Sequence, residues 1–464
     1  MVIIPVALAD QLKPINIIRT RTCFILDKRL DEKILKDALD QLIRNHWRKL
    51  GARLFSRVKD KRLEYHLPET FDDEYILFNW SSKEDKKSFW ATASLLDVPD
   101  DKGVSFLPPI DAIEEAFIPS SWPTCRKDET PNAPLLYVHL TFATDATVIA
   151  TSLPHTVADQ YGLSNIMKAW LGLAEGRSPP PMVGYSDDAL PKSKPYSEFP
   201  KNEVFRKGRM RVRRKMEHFF VILGLIPDIV AHKESAHILF FSRSLIRSLH
   251  ESHQRFLNDK YGHNTGISEG DILTAIITKF SRIYDKKPRT IALSQSVNLR
   301  GRHPDMPYGK CDGFIHNSLH YATAHFRIDA STPVSEIAYR NRQAINQALE
   351  EKDIEIGMSV TREMVRRGQP IHICEPFERF YSFSNWCGAW RGLDFSSAIG
   401  EQKERPVVDL LVVGQGNKPG APRRFRTSIM CKTSKGFYCD FSAPPKAIEL
   451  ITAYLEKDPL LKHF

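Results

Sequence analysis

The chain has 464 residues, 42% hydrophobic and 26% charged, with a formal net charge of +10. That length exceeds one ordinary core and predicts two domains, and the composition excludes global disorder. No apolar run approaches the roughly 18 residues that a membrane span needs. The seven scattered cysteines form no C-x-x-C pair, which excludes zinc-ribbon spacing and a compact disulfide framework and predicts a reducing compartment. The first nine residues lack a basic stretch ahead of their apolar run and make a poor signal peptide. The basic surplus fits nucleic acid, anionic lipid, a phosphorylated ligand or simply solvated surface.

Leu35, Leu39, Leu42 and Ile43 recur at helical spacing and predict a helix over residues 31–47, with Asp31 and Glu32 in its first turn. Residues 71–132 carry Pro and Asp clusters without a long period and predict short elements and loops. Leu136, Val138, Leu140 and Phe142 then alternate with Tyr137, His139 and Thr141, the period of a strand. Thr144 and Asp145 turn the chain into a second strand, 147–153, stopped by Pro154. From Asp159 onward Leu163, Ile166, Met167 and Trp170 share one helical face. His155 is thus predicted at a strand-to-helix junction.

Residues 177–200, rich in proline, read as a linker. A basic stripe from Arg206 to Lys215 follows, then an apolar run, Phe219 to Ile226, expected to break at Pro227. A strand at 237–241 leads into a helix capped by Ser242, and Ser268 with Asp271 marks a second helix start. A strand at 290–297 and a single long helix over 333–352 are predicted beyond them. The expected segmentation is 1–176, a crossover at 177–235, and 236–464.

His155-x-x-x-Asp159 is the central chemical signal. The chain contains no P-loop, G-x-S-x-G, H-E-x-x-H or dinucleotide glycine motif. The bare spacing is weak, because His325 and Asp329 repeat it at the end of a predicted strand. That second copy has no glycine-containing helix start behind it and reads as ordinary strand and turn. His155 has a strand end to deliver it, Pro154 to stiffen the approach, and Gly162 early in the next helix. An imidazole with an ordinary pKa of about 6.5 suits a group that must be neutral yet accept a proton. The residues alone leave open a buried histidine bonded to backbone, with Asp159 either orienting it or pairing with an arginine. Ser384 and Asn385, in the aromatic segment 381–386, can donate to an oxyanion. Arg423, Arg424 and Arg426 form a basic cluster suited to phosphates or to a solvated turn. No metal-ligand pattern stands out.

Further blocks appear in order: Leu8 to Leu12, Trp47 to Leu54, His155 to Asp159, and Ser268 to Ala275. Asn298 to Arg302, Gly313-Phe314-Ile315-His316-Asn317, Ser384-Asn385-Trp386 and Leu393-Asp394-Phe395 come after them. Together they resemble the BAHD-type acyltransferases, in particular the fungal secondary-metabolism branch that includes trichothecene O-acetyltransferase-like enzymes. The resemblance implies an α/β (α+β) fold of two similar chloramphenicol-acetyltransferase-like lobes, a long crossover and a tunnel between them. It implies an acyl-CoA co-substrate, acetyl-CoA by default, and no metal. The acceptor would be a hydroxyl on a small molecule such as a terpenoid or polyketide. His155 would be the general base, and Asp159 a scaffold residue paired with Arg300 or Arg302. Asp394 would be the structural carboxylate of the second motif. Ser384, with Asn385 and Trp386, would lie near the thioester oxygen, and Arg423, Arg424 and Arg426 near coenzyme A. A cytoplasmic monomer without nucleic-acid partner or stable membrane insertion is expected.

Two positions depart from the family pattern. Gln160 stands where a glycine usually follows the aspartate, and Asp394-Phe395-Ser396-Ser397-Ala398 lacks the glycine–tryptophan–glycine of the second motif. The second departure supports an alternative, a related fold that catalyses cyclisation or condensation or only binds a small molecule. The basic stripe beside Phe219 to Leu223 supports another, a nucleic-acid or membrane-surface protein. The favoured reading of the stripe is a surface helix in the crossover.

Overall fold

The computed structural model describes residues 1–89, 103–230, 233–285, 287–399, 410–416 and 422–464. Of the loop region expected at 71–132, the part at 90–102 lies outside the described residues. Local signals set most element starts. Asp31 caps the helix Glu32–Gln41 by accepting from Ile34 N at 3.0 Å. Ser242 caps Arg243–Tyr261, and Ser268 with Asp271 closes a full capping box at Glu269–Ser281.

Two sheets organise the chain. A five-stranded sheet runs in the order Leu411–Gln415, Arg19–Leu26, Thr147–Pro154, Tyr137–Phe142, Asn79–Glu84. The helices Glu32–Gln41 and Gln160–Ala174 belong to its core, and Trp170 Nε1 donates to Leu35 O at 2.7 Å to join them. A seven-stranded sheet runs Leu319–Ile328, Arg289–Asn298, Arg379–Asn385, Arg426–Lys432, Gly436–Ala443, Ser235–Ser242, Val104–Leu107. The helices Arg243–Tyr261, Glu269–Ser281 and Val334–Ala348 contribute to a second core on it. The protein is therefore a mixed α/β molecule of two lobes.

Two strands cross the segmentation expected from sequence. Val104–Leu107 pairs antiparallel with Ser235–Ser242 in the second lobe's sheet. Leu411–Gln415 pairs antiparallel with Arg19–Leu26 in the first. Each lobe thus closes an edge strand of the other's sheet, which protects both edges.

Three local expectations need correction. The helix expected over 333–352 is two helices, Val334–Ala348 and Glu351–Arg366, broken at the extended Glu350. The break lets Ile354 and Met358 join a buried cluster with Leu299 and Phe314, so packing overrides helical continuity. The stripe is not a surface helix: residues 206–214 form an irregular strap, with Arg211 and Arg213 buried, and Lys215 opens the helix that follows. Glu375 pairs with Arg211 and Arg213, and Asp353 with Arg206 and Arg209. Pro227 does not end the helix it sits in; Lys215–Val230 runs through it. Proline there costs one intrahelical bond, in the last turn.

Candidate active site

The strand Thr147–Pro154 ends at the seam between the lobes, and a tight turn follows it. His155 N donates to Ile18 O at 3.0 Å, and Val157 N donates to Pro154 O at 2.8 Å. The turn sets the imidazole on the wall of an interlobe cavity of about 550 Å³. Nδ1 is enclosed, and no protein group hydrogen-bonds it. The ring's own carbonyl and the Asn317 side chain nevertheless act on it to favour the protonated form, as does the Asp159 charge. Burial is the larger effect, and it lowers the pKa below the ordinary 6.5, assisted by the Arg426 charge. The imidazole is therefore neutral at pH 7. With Nδ1 enclosed, Nε2 is the ring nitrogen left for the cavity.

Asp159 does not face His155 as a partner. It caps the helix Gln160–Ala174, with Oδ1 accepting from Gly162 N at 2.7 Å. Its Oδ2 accepts from Ser318 N and from Arg300 Nη1, both at 3.0 Å. Arg300 also donates to Asn298 Oδ1 at 2.9 Å and to His316 O at 2.5 Å. Both members of this ion pair are 4% exposed. It ties the histidine's helix to segment 298–318 of the other lobe. Gly162 permits the approach, because a Cβ there would lie 1.7 Å from Ile315 O.

A buried polar chain stands behind His155. Asn317 Nδ2 donates to His155 O and to Asp10 Oδ1, each at 2.8 Å. Asp10 Oδ1 also accepts from Asn317 N at 3.0 Å, and Asp10 O accepts from Thr156 Oγ1 at 2.5 Å. Asp10 thus holds both Thr156, which follows His155, and the Asn317 side chain that bonds His155 O. Burial raises its pKa to about 7, against the lowering effect of the Asn317 bonds. Lys49 lies 3.2 Å from His316 Nε2 and donates to Tyr185 O at 2.7 Å. Desolvation lowers Lys49 to about 8 and His316 to about 3. Sequence reading placed Asp10, Lys49 and Asn317 inside family-like blocks but gave them no role. Their contacts join positions more than 100 residues apart, which no spacing rule reports.

Across the cavity, Ser384 lies in Arg379–Asn385, a strand parallel to both neighbours. Ser296, Ser384 and Ser428 stand in register on three adjacent strands and all line the cavity. Ser384 Oγ accepts from Trp386 Nε1 at 2.8 Å, which leaves its own O–H to donate elsewhere. Asn385 also lines the cavity, but its Oδ1 accepts from Cys387 N at 3.0 Å and shapes the turn.

The other expected residues separate. Arg302 has no ion pair among the described residues and lines the cavity, so Arg300 alone pairs with Asp159. Asp394 forms no ion pair among the described residues either. It is exposed and caps the turn at Ser396, accepting from its N at 2.9 Å, while Phe395 carries the motif's packing beside Phe24. Arg423 pairs with Asp111 and Arg424 with Glu234, both at 2.6 Å and away from the cavity lining. Of the three arginines expected near coenzyme A, Arg426 lines the cavity. His325, the second copy of the motif histidine, lies 2.9 Å from Glu378 on a strand and outside the lining of the interlobe cavity, with Asp329 in the turn beyond. No His/Cys/Asp/Glu cluster suited to a metal occurs among the described residues.

No protein-family profile matches the chain. It is 25% identical to acetyltransferase adrJ of Penicillium rubens, over 84% of its own length and 83% of that protein. It is 27% identical to a Penicillium decumbens protein named transcriptional regulator calD, over 86% and 82%. O-acetyltransferase PaAT-2 of Phomopsis amygdali is 23% identical over 85% and 83%. Among solved structures, F. sporotrichioides TRI101 complexed with coenzyme A and T-2 matches with a TM-score of 0.69 at 14% identity, covering 98% of this chain and 97% of that one. Vinorine synthase matches with a TM-score of 0.59 at 15% identity, covering 96% and 91%. In fold the chain is similar to TRI101 and vinorine synthase, and over most of its length its sequence is similar to fungal acetyltransferases.

Proposed function

We propose that the chain transfers an acyl group, acetyl by preference, from acyl-CoA to a hydroxyl of a secondary metabolite, with His155 as general base. The observation that carries this is a neutral imidazole at the lobe seam, its Nδ1 side enclosed and its Nε2 side open to the cavity. Nε2 takes the proton of the acceptor hydroxyl as the oxygen attacks the thioester carbonyl. The C–O bond forms and the carbonyl electrons move to oxygen. The Ser384 hydroxyl, held by Trp386, donates to that oxyanion. The intermediate then collapses, the C–S bond breaks, and the proton passes from Nε2 to the thiolate. Asp159 and Arg300 act as scaffold.

Arg302 and Arg391 line the cavity and reach solvent, so they are the cations proposed for the coenzyme A phosphates, with Arg426 deeper and nearer His155. The TRI101 structures carry coenzyme A and a mycotoxin, which supports the same two substrate classes here. Two relatives are named as transcriptional regulators; the enclosed histidine favours transfer over that activity. No helix among the described residues is long and apolar enough to cross a membrane. A monomer in the cytoplasm is our reading, supported by seven free thiols.

The test is thiol release from a panel of acyl-CoAs with hydroxylated metabolites. His155→Ala is expected to lower kcat roughly 10²–10⁴-fold, about 3–5 kcal/mol in the barrier. Equal rates for the variant and the wild-type protein would reject the mechanism.

A further inference from the structure

The helix Lys215–Val230 inverts the usual arrangement of a surface helix. Its inner face is Glu217, Val221, Gly224, Leu225 and Asp228. Val221 and Leu225 pack in a small cluster with Ala292, Ile373 and Cys374. Both acidic residues are held at that face: Glu217 pairs with Arg211 at 2.7 Å and Asp228 with Arg379 at 2.6 Å. Arg379 also donates to Gly224 O at 3.0 Å, and a Cβ at Gly224 would lie 2.8 Å from Phe377 Cα. The helix is therefore docked firmly and in one rotation.

Its outer face carries no charge from Met216 to Val230. Met216 is 61% exposed, Phe219 55%, Ile222 51% and Val230 78%, with Ile226 and Ile229 between them. Phe220 and Phe377 extend the surface, their rings 6.0 Å apart. A surface helix ordinarily turns polar residues outward, and an exposed apolar patch of this kind marks an interaction site. Cations bracket it: Arg214 and Lys215 at the start and Lys233 beyond the end are all exposed, and none forms an ion pair among the described residues. An apolar band of aliphatic and phenylalanine side chains, free of acidic groups and flanked by Lys and Arg, has the chemistry of an interfacial helix lying on anionic lipid.

We propose that the outer face of Lys215–Val230 is a peripheral docking surface for an anionic lipid bilayer. The helix lies in the plane of the interface, Phe219, Ile222 and Ile226 enter the acyl boundary, and Arg214, Lys215 and Lys233 meet headgroup phosphates. None of these residues lines the catalytic cavity, so the surface is separable from acyl transfer.

Vesicle flotation of the full chain tests this, with phosphatidylcholine alone against phosphatidylcholine mixed with phosphatidylserine. The wild-type protein is expected to float with the mixed vesicles and to be released by high salt. Arg214→Glu with Lys215→Glu is expected to weaken binding roughly tenfold or more. The triple variant Phe219→Ser, Ile222→Ser, Ile226→Ser is expected to abolish it, with circular dichroism and thiol release on a soluble acceptor unchanged. No flotation of the wild-type protein, or flotation indifferent to both sets of substitutions, overturns the proposal. A concentration-dependent dimer seen by light scattering and removed by the triple variant, without vesicle binding, overturns it in favour of a second copy of the chain.

Discussion

Replacing Asp159 by Asn separates scaffold from catalyst. The wild-type carboxylate accepts from Gly162 N, Ser318 N and Arg300 Nη1. The amide keeps the shape and one acceptor oxygen, so the helix cap can persist. It loses the charge and must turn an NH2 toward one of the donors. If Oδ1 keeps the cap, the new NH2 faces both Ser318 N and the Arg300 guanidinium. Arg300 is 4% exposed, and stranding a buried charge of this kind costs about 3–5 kcal/mol. Urea unfolding should show that loss. Arg300→Met in the Asp159→Asn background should recover part of it, with a coupling of about 1–3 kcal/mol in the double-mutant cycle. Catalysis should suffer less. The Asp159 charge raises the pKa of His155, so its removal lowers that pKa further and moves the acid limb of the pH–rate profile to lower pH. At neutral pH the folded variant should keep kcat within about tenfold, against roughly 10²–10⁴ for loss of the base. A variant of wild-type stability whose kcat falls as far as that of His155→Ala would refute the scaffold role.

Ser384→Ala should lower kcat by about 10²–10³-fold while leaving the KM for acyl-CoA little changed, read in steady-state thiol release; an unaltered kcat would remove Ser384 from the oxyanion site. Asp10→Asn addresses pH. The folded-state pKa of Asp10 is raised from 3.8 to about 7, so the native state holds a proton that the unfolded chain releases. Its contribution to stability is therefore present at low pH and declines as pH rises from about 4 to about 7, by at most about 4 kcal/mol. Asn keeps an acceptor for Asn317, and unfolding of Asp10→Asn across that range should lose this part of the slope. An identical slope in both proteins would refute the assignment. Gly162→Ala should cost about 1–3 kcal/mol or more, since Ile315 O must retreat from the new Cβ, and urea unfolding at wild-type stability would contradict the close approach.

What the sequence disclosed follows the range of the interactions. Capping and periodicity act over a few residues, so Asp31, Ser242, Ser268 and the junction at His155 were legible. The long helix over 333–352 was not, because its break serves packing of Ile354 and Met358 against Leu299. The strap at 206–214 was misread for the same reason: a run of arginines looks solvated until Glu375 and Asp353, more than 130 positions away, are seen to meet it. The exchanged strands Val104–Leu107 and Leu411–Gln415 carry no local mark of which sheet they join. At the site, the sequence supplied the proposed base and both arginine candidates for Asp159, and the geometry chose Arg300. Asp394 was assigned by its neighbours in a degenerate motif, and its exposure shows that Phe395 and Ala398, not the carboxylate, pack there.

The proposed base, His155, is held from both lobes at once, and this explains the buried charges around it. Its strand and helix belong to the first lobe, whereas Asn317, Ser318 and Arg300 come from the second. Asp10 and Lys49, in the first lobe, reach across to Asn317 and His316. An apolar seam would bury area more cheaply, because ion pairs in a low dielectric return little net stability. Apolar contacts, however, are not directional, and two lobes joined only by them can slide. Hydrogen bonds from Asn317 to His155 O, and from Ser318 and Arg300 to Asp159, fix the register between the lobes to a fraction of an ångström. A general base needs that, since its lone pair must meet an acceptor hydroxyl within about 3 Å. The polar seam is then an arrangement for aiming one nitrogen, and the desolvation of Asp10 and Lys49 is the energetic cost of that aim.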